Sequence, residues 1–74
     1  MNKARRKRLG EVFDLIKKCE EIIQEVLDEE NESLENLPDS FRYGEKGEEM
    51  EGYIEMLEEV RGYLEDAESV VEQI

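Results

Sequence analysis

Apolar residues recur at heptad spacing through residues 47–74, and this pattern constrains the fold more than any other feature of the chain. One column at steps of seven consists of Met50, Leu57, Leu64 and Val71, and a second consists of Tyr53, Val60, Ala67 and Ile74. Two such columns are typical of the a and d positions of an α-helix that packs along another helix. We therefore expect one long helix over residues 45–74.

The chain before it shows a similar pattern over residues 9–35. Its apolar residues alternate steps of three and four: Leu9, Val12, Ile16, Cys19, Ile23 and Val26. This spacing predicts a first helix, with Cys19 as a small buried residue at a d position. Pro38 cannot continue that helix, so residues 36–44 should form the loop, with Gly44 as the N-cap of the second helix. The expected fold is all-α, an antiparallel, coiled-coil-like two-helix hairpin.

Further apolar residues flank both heptad columns, among them Leu15 and Ile22 in the first helix and Met56, Tyr63 and Val70 in the second. The apolar arc of each helix then covers roughly 160°, which is wider than contact with one partner helix requires. A chain of 74 residues with one Cys and no His has neither a disulfide nor a typical zinc site to stabilise it. We therefore expect a homodimer that forms a four-helix bundle. Its core would contain Met50, Tyr53, Leu57, Val60 and Leu64.

Charge is both large and unevenly distributed. The chain has 22 Asp and Glu against 10 Lys and Arg, for a net charge of -12. Five of the basic residues lie in residues 1–8, the sequence MNKARRKR. This segment should form a basic arm that leads into the first helix and either stays solvated or contacts the acidic end of the second helix. The acidic remainder should repel nucleic acid and anionic membranes.

Charged residues interrupt every apolar stretch, so we expect no signal peptide or transmembrane helix and a cytoplasmic location. Gly10, Gly52 and Gly62 fall on the outer faces of the predicted helices, where glycine is tolerated.

The loop contains the sequence NLPDSF, in which Leu37 and Phe41 should cover the open end of the bundle. Together with the basic N-terminal segment, the acidic helices and the Gly-Glu-rich start of the second helix, this motif resembles small uncharacterised acidic helical-hairpin proteins of phages and mobile elements in Firmicutes. The resemblance implies an origin on a mobile element, and it implies no functional residues.

Catalytic chemistry has little support in the sequence. The chain has no His and no glycine-rich phosphate loop, and its carboxylates lie on outward helix faces without a cleft. The acidic run of residues 28–32 lacks the spacing of a calcium loop. We therefore expect no enzyme, no cofactor and no metal site.

The acidic face of the second helix is the remaining candidate site. It consists of Glu51, Glu55, Glu58, Glu59 and Glu65. Carboxylates at such density resemble the charge of a nucleic-acid backbone. The sequence therefore predicts a protein-binding module, encoded by a phage, that blocks the basic groove of a nucleic-acid-handling host protein. The alternative is a structural or scaffolding bundle with no inhibitory role, or a contact made by the loop residues Leu37, Phe41 and Tyr43.

Overall fold

The computed structural model describes all 74 residues, and it contains three helices and no strand. Helix α1 spans Lys3–Glu35, the short helix α2 spans Asp39–Arg42, and helix α3 spans Glu45–Glu72. The two long helices pack against each other, and α2 packs against α3. Gln24 lies opposite Arg61 and Lys17 lies opposite Glu68, so the long helices are antiparallel. The all-α hairpin predicted from the sequence is therefore confirmed.

Helix α1 begins at Lys3, six residues before the expected start. The side chain of Asn2 is the N-cap, because its Oδ1 accepts a hydrogen bond of 2.8 Å from the backbone N–H of Arg5. Such a cap satisfies one of the free N–H groups at a helix start. The basic segment is consequently the first two turns of α1, although its first turn contains no acidic residue to complement the helix dipole.

The connection between the long helices follows the sequence closely. Asn36 is the C-cap of α1; its N–H donates to the carbonyl of Glu32, and the N–H of Leu37 donates to the carbonyl of Leu34. Pro38 is the N-cap of α2, where its missing N–H costs nothing. Gly44 is the N-cap of α3, as predicted, and Glu45 and Glu48 lie in the first turn of that helix, where negative charge is favourable.

Each helix was expected to turn two columns of apolar residues towards the other. In each helix only one of these columns faces the partner, and a neighbouring column takes the place of the second. In α3, Met50, Leu57, Leu64 and Val71 face α1 as expected. The second inward column consists of Gly47, Ile54, Arg61 and Glu68, all buried or half-buried, whereas Tyr53, Val60, Ala67 and Ile74 are exposed. In α1 the inward residues are Leu9, Phe13, Ile16, Glu20, Ile23, Leu27, Glu30 and Leu34. Cys19, expected to be buried, is exposed.

The hairpin is a thin rod with extents of 59 × 14 × 12 Å. Leu27, at 1% exposure, and Ile54, at 7%, are its only buried large apolar residues. Both lie in the half of the rod nearer the loop, where the interface is most apolar. A membrane-spanning segment is not found in any of the three helices.

Candidate functional site

The two long sides of the hairpin have opposite character. In a coiled coil, the positions on either side of the a and d columns decide what each flank presents to solvent. In an antiparallel pair the corresponding flanks of the two helices meet on the same side of the rod. One side of this hairpin is polar and the other is apolar, and each side is a candidate surface.

On the polar side, cations of one helix contact polar groups of the other. Lys17 Nζ lies 2.6 Å from Glu68 Oε1 and 3.9 Å from Glu20 Oε2. The hydrogen bond from Lys17 to Glu68 and the charge of that carboxylate raise the pKa of Lys17 above its ordinary value of 10.5. Two turns away, Arg61 Nη1 donates to Gln24 Oε1 over 3.1 Å. These contacts align the two helices, because a shift by one turn would break both.

On the opposite side, apolar side chains of both helices are exposed. We call this surface the apolar face. In α1 it continues at steps of three and four through the exposed Val12, Leu15, Cys19 and Ile22 to Val26, which is half-buried. In α3 it continues through Tyr53, Met56, Val60, Tyr63, Ala67, Val70 and Ile74. Leu15, Met56 and Tyr63 are 66%, 61% and 65% exposed, which is high for large apolar side chains.

The apolar residues of the two helices form one continuous surface. Val26 of α1 lines the same groove as Tyr53, Met56 and Val60 of α3. The face therefore crosses the gap between the helices and runs along most of the rod. A contiguous apolar surface of this extent is typical of a contact with another protein.

Of the five acidic candidates, Glu51, Glu58 and Glu65 lie on the flank of α3 that faces away from the apolar face, Glu55 lies on the outer side, and Glu59 borders the apolar face at Tyr63. We call Glu51, Glu55, Glu58, Glu59 and Glu65 the acidic flank, and all five are exposed. Glu59 accepts a hydrogen bond of 3.0 Å from the hydroxyl of Tyr63. None of the five makes an ion pair, because the three ion pairs of the structure all involve Lys17 or Lys18. Their charge is consequently available to a partner.

Of the three loop residues considered for a partner contact, only two are exposed to solvent. Leu37 is half-buried, whereas Phe41 and Tyr43 are 56% and 78% exposed. The guanidinium of Arg42 lies 5.9 Å from the centre of the Tyr43 ring, within the range of a cation–π contact. These residues form a small exposed patch at the loop end of the rod.

The five residues predicted for a dimer core divide into two groups. Met50, Leu57 and Leu64 lie half-buried between α1 and α3, whereas Tyr53 and Val60 lie on the apolar face. Sequence reasoning grouped them because all five fit one heptad pattern. It left out Met56, Tyr63 and Val70, which it had treated as flanking positions.

The basic segment of α1 consists of Lys3, Arg5, Arg6, Lys7 and Arg8. None of these cations makes an ion pair within the chain, so of the two alternatives for this segment the ion-paired contact with the acidic end of the second helix is not seen. Lys17 lies opposite Glu68. Because the helices are antiparallel, Ile74, six residues after Glu68, lies level with Glu11 of α1. Most of the basic segment lies beyond that point, although Arg6 and Lys7 line a groove together with Val71 and Glu72 of α3.

No group of three or more Cys, Asp and Glu residues is arranged to hold a metal ion. Comparison with protein-family models, with curated proteins and with solved structures gives no significant match. The functional argument therefore rests on the two sides of the hairpin.

Proposed function

We propose that the protein is a homodimeric four-helix bundle that presents its acidic flanks to the basic surface of a partner protein. The observation that carries this proposal is the separation of the two surfaces. The apolar face lies on one side of α3, and the row of Glu51, Glu58 and Glu65 in the acidic flank lies on the other. Pairing through the first surface leaves the second exposed to solvent.

The accessible area supports the dimer. The chain exposes 5913 Å², whereas a compact monomer of 8.7 kDa exposes about 4,700 Å². A compact dimer would expose about 7,900 Å², so pairing could remove up to about 3,900 Å² from the two chains. Obligate homodimers bury about 2,000–5,000 Å². The excess area of this hairpin is therefore sufficient for a stable interface.

The charge of α3 supports binding to a basic partner. Lys46 and Arg61 are its only cations among eleven carboxylates, and Arg61 is bound to Gln24. Glu51, Glu58 and Glu65 repeat every seven residues, about 10.5 Å apart at 1.5 Å per residue. A rigid row of exposed carboxylates attracts a basic groove and increases the rate of association. In this proposal the partner is a nucleic-acid-handling host protein, whose groove the bundle blocks.

A second candidate is a structural bundle without an inhibitory role. The exposed apolar face favours it, because assembly alone explains that surface. On this alternative the acidic flank keeps the bundle soluble and binds no specific partner.

Charge reversal on α3 tests the function. In the variant Glu51→Lys, Glu58→Lys and Glu65→Lys, helix content by circular dichroism should stay nearly constant, because Lys and Glu are similar helix formers. Immobilised wild-type protein should capture basic proteins from a host lysate at low salt, and a DNA duplex should compete for them. The variant should lose this capture, as should the wild type in half-molar salt.

The matched control reverses Glu11, Glu25 and Glu32, which are exposed on the outer side of α1. It changes the net charge by the same amount and should keep the captured proteins. Retention of binding by both triple variants, or binding that half-molar salt leaves unchanged, would contradict a role for the acidic flank and would favour the loop patch. Absence of any DNA-competed capture would favour the structural bundle.

A further inference from the structure

We infer that the two hairpins of the dimer are antiparallel, so that the basic segment of each chain lies against the acidic loop end of the other. This inference rests on the proposed dimer and adds its orientation and a second contact. The acidic loop end is defined by Glu35, Asp39, Glu45, Glu48 and Glu49, all exposed.

The position of the apolar face sets the alignment of the two copies. At one end the face reaches Val12 and Ile74, and at the other it reaches Tyr53, which lies opposite residue 32 of α1. Its middle is therefore near residues 21–22 of α1 and near Tyr63 of α3. A two-fold axis there, perpendicular to the rod, would bury the whole face against itself. Each long helix would pack on the same helix of the second copy in the opposite direction.

The same axis brings opposite charges together. It places residues 3–8 of one chain level with two segments of the other chain. These are residues 35–40, which run from the end of α1 into α2, and residues 45–50 at the start of α3. Five cations at one end of the rod then lie beside the carboxylates of the loop end. A parallel dimer would instead gather ten cations at one end and both acidic loop ends at the other, which is electrostatically unfavourable.

The side chains also lie on the correct side of the helices. Arg5 and Arg8 precede Val12 and Leu15 of the apolar face by seven residues, and all four line one groove. Glu49 precedes Met56 by the same interval. The basic segment and Glu49 therefore extend the apolar face at its two ends. Because the basic segment has no ion pair within its own chain, its cations are available to a second copy.

A distance measurement between labels tests the orientation. The probe is a spin label at Ser40→Cys, an exposed loop position, in a Cys19→Ala background. In an antiparallel dimer the two labels lie at opposite ends, about 55 Å apart at 1.5 Å per residue. A parallel dimer would place both at one end, less than about 30 Å apart, given helix spacings of about 10 Å. The short distance would overturn the inferred orientation.

Sedimentation of the same labelled sample separates the two claims. A dimer with the short distance would refute the orientation and leave the proposed dimer intact. A monomer would refute both. The long distance in a dimer is the expected result.

Charge reversal tests the second contact. Arg5→Glu with Arg8→Glu should raise the dimer dissociation constant about tenfold or more at low salt. Combining these changes with Glu45→Arg and Glu49→Arg should restore most of the affinity. The control is Lys18→Glu, a single charge reversal at an exposed residue outside the apolar face, which should leave the dissociation constant within about twofold. A lower dissociation constant for the Arg5 and Arg8 variant would overturn the contact. So would a combined variant that dimerises no better than the Arg5 and Arg8 variant.

Discussion

At the scale of single residues, Gly47 is the position where the backbone leaves no space for a side chain. A Cβ atom there would lie 1.8 Å from the carbonyl oxygen of Arg42. That oxygen belongs to the end of α2, so the short helix packs directly on the first turn of α3. The absence of a side chain at Gly47 consequently sets how closely the loop folds onto α3.

Gly47→Ala should therefore destabilise the fold, although alanine favours a helix interior by about 1 kcal/mol over glycine. Backbone atoms must move to relieve the clash, which typically costs about 1–3 kcal/mol. We expect a lower Tm and a looser α2 by hydrogen exchange. The control is Gly52→Ala, because nothing lies within 4 Å of a Cβ at Gly52. That variant should gain stability, and an equal gain at Gly47 would contradict the close packing of α2.

At the scale of helices, the polar contacts in the interface fix the alignment of α1 and α3. Glu20, Arg61 and Glu68 occupy inward positions that an ordinary coiled coil gives to apolar residues. Lys17 pairs with Glu68 and Glu20, and Arg61 with Gln24. Polar groups at such positions favour one alignment over others at some cost in stability.

Lys17→Met should lower the Tm, because Glu68 and Glu20 then lose their cation in a partly buried position. The hydrogen bond and charge of Glu68 raise the pKa of Lys17 in the folded state. The stabilisation is therefore complete below the ordinary lysine value of 10.5, and it is lost as the pH rises through the higher folded-state value. Thermal melts should show a constant difference between variant and wild type at neutral pH and a shrinking one above about pH 10.5. A difference that persists at alkaline pH would indicate a packing effect.

The helices themselves were predictable from the sequence, and the pairing of their faces was not. Pro38 ends α1 and Gly44 caps α3 as the sequence indicates. The earlier start of α1 was missed, although Asn2, its N-cap, is a residue type that commonly starts a helix. Each apolar arc, however, is wide enough for two partners, so spacing alone could not decide whether Tyr53 or Ile54 faces α1. The polar pairs across the interface favour the observed arrangement, and they depend on three-dimensional proximity.

At the scale of the whole molecule, the hairpin is elongated and has little interior. A compact domain of 74 residues has a radius of gyration of about 11 Å, whereas this chain has 17.1 Å. Chains this short usually need an additional source of stability. In the proposed dimer, a second copy on the apolar face would supply it, and the acidic flanks would then form two outer sides of one bundle.

Sedimentation equilibrium of the wild type and of the variant Met56→Glu with Tyr63→Glu tests this account most directly. Both residues are exposed in the hairpin, so the changes disturb the apolar face rather than the contact between α1 and α3. The account predicts twice the chain mass of 8.7 kDa for the wild type, and a single-chain mass with a lower Tm for the variant, because a carboxylate buried in the dimer interface is costly. A wild-type protein that sediments as a helical monomer at all concentrations would contradict it.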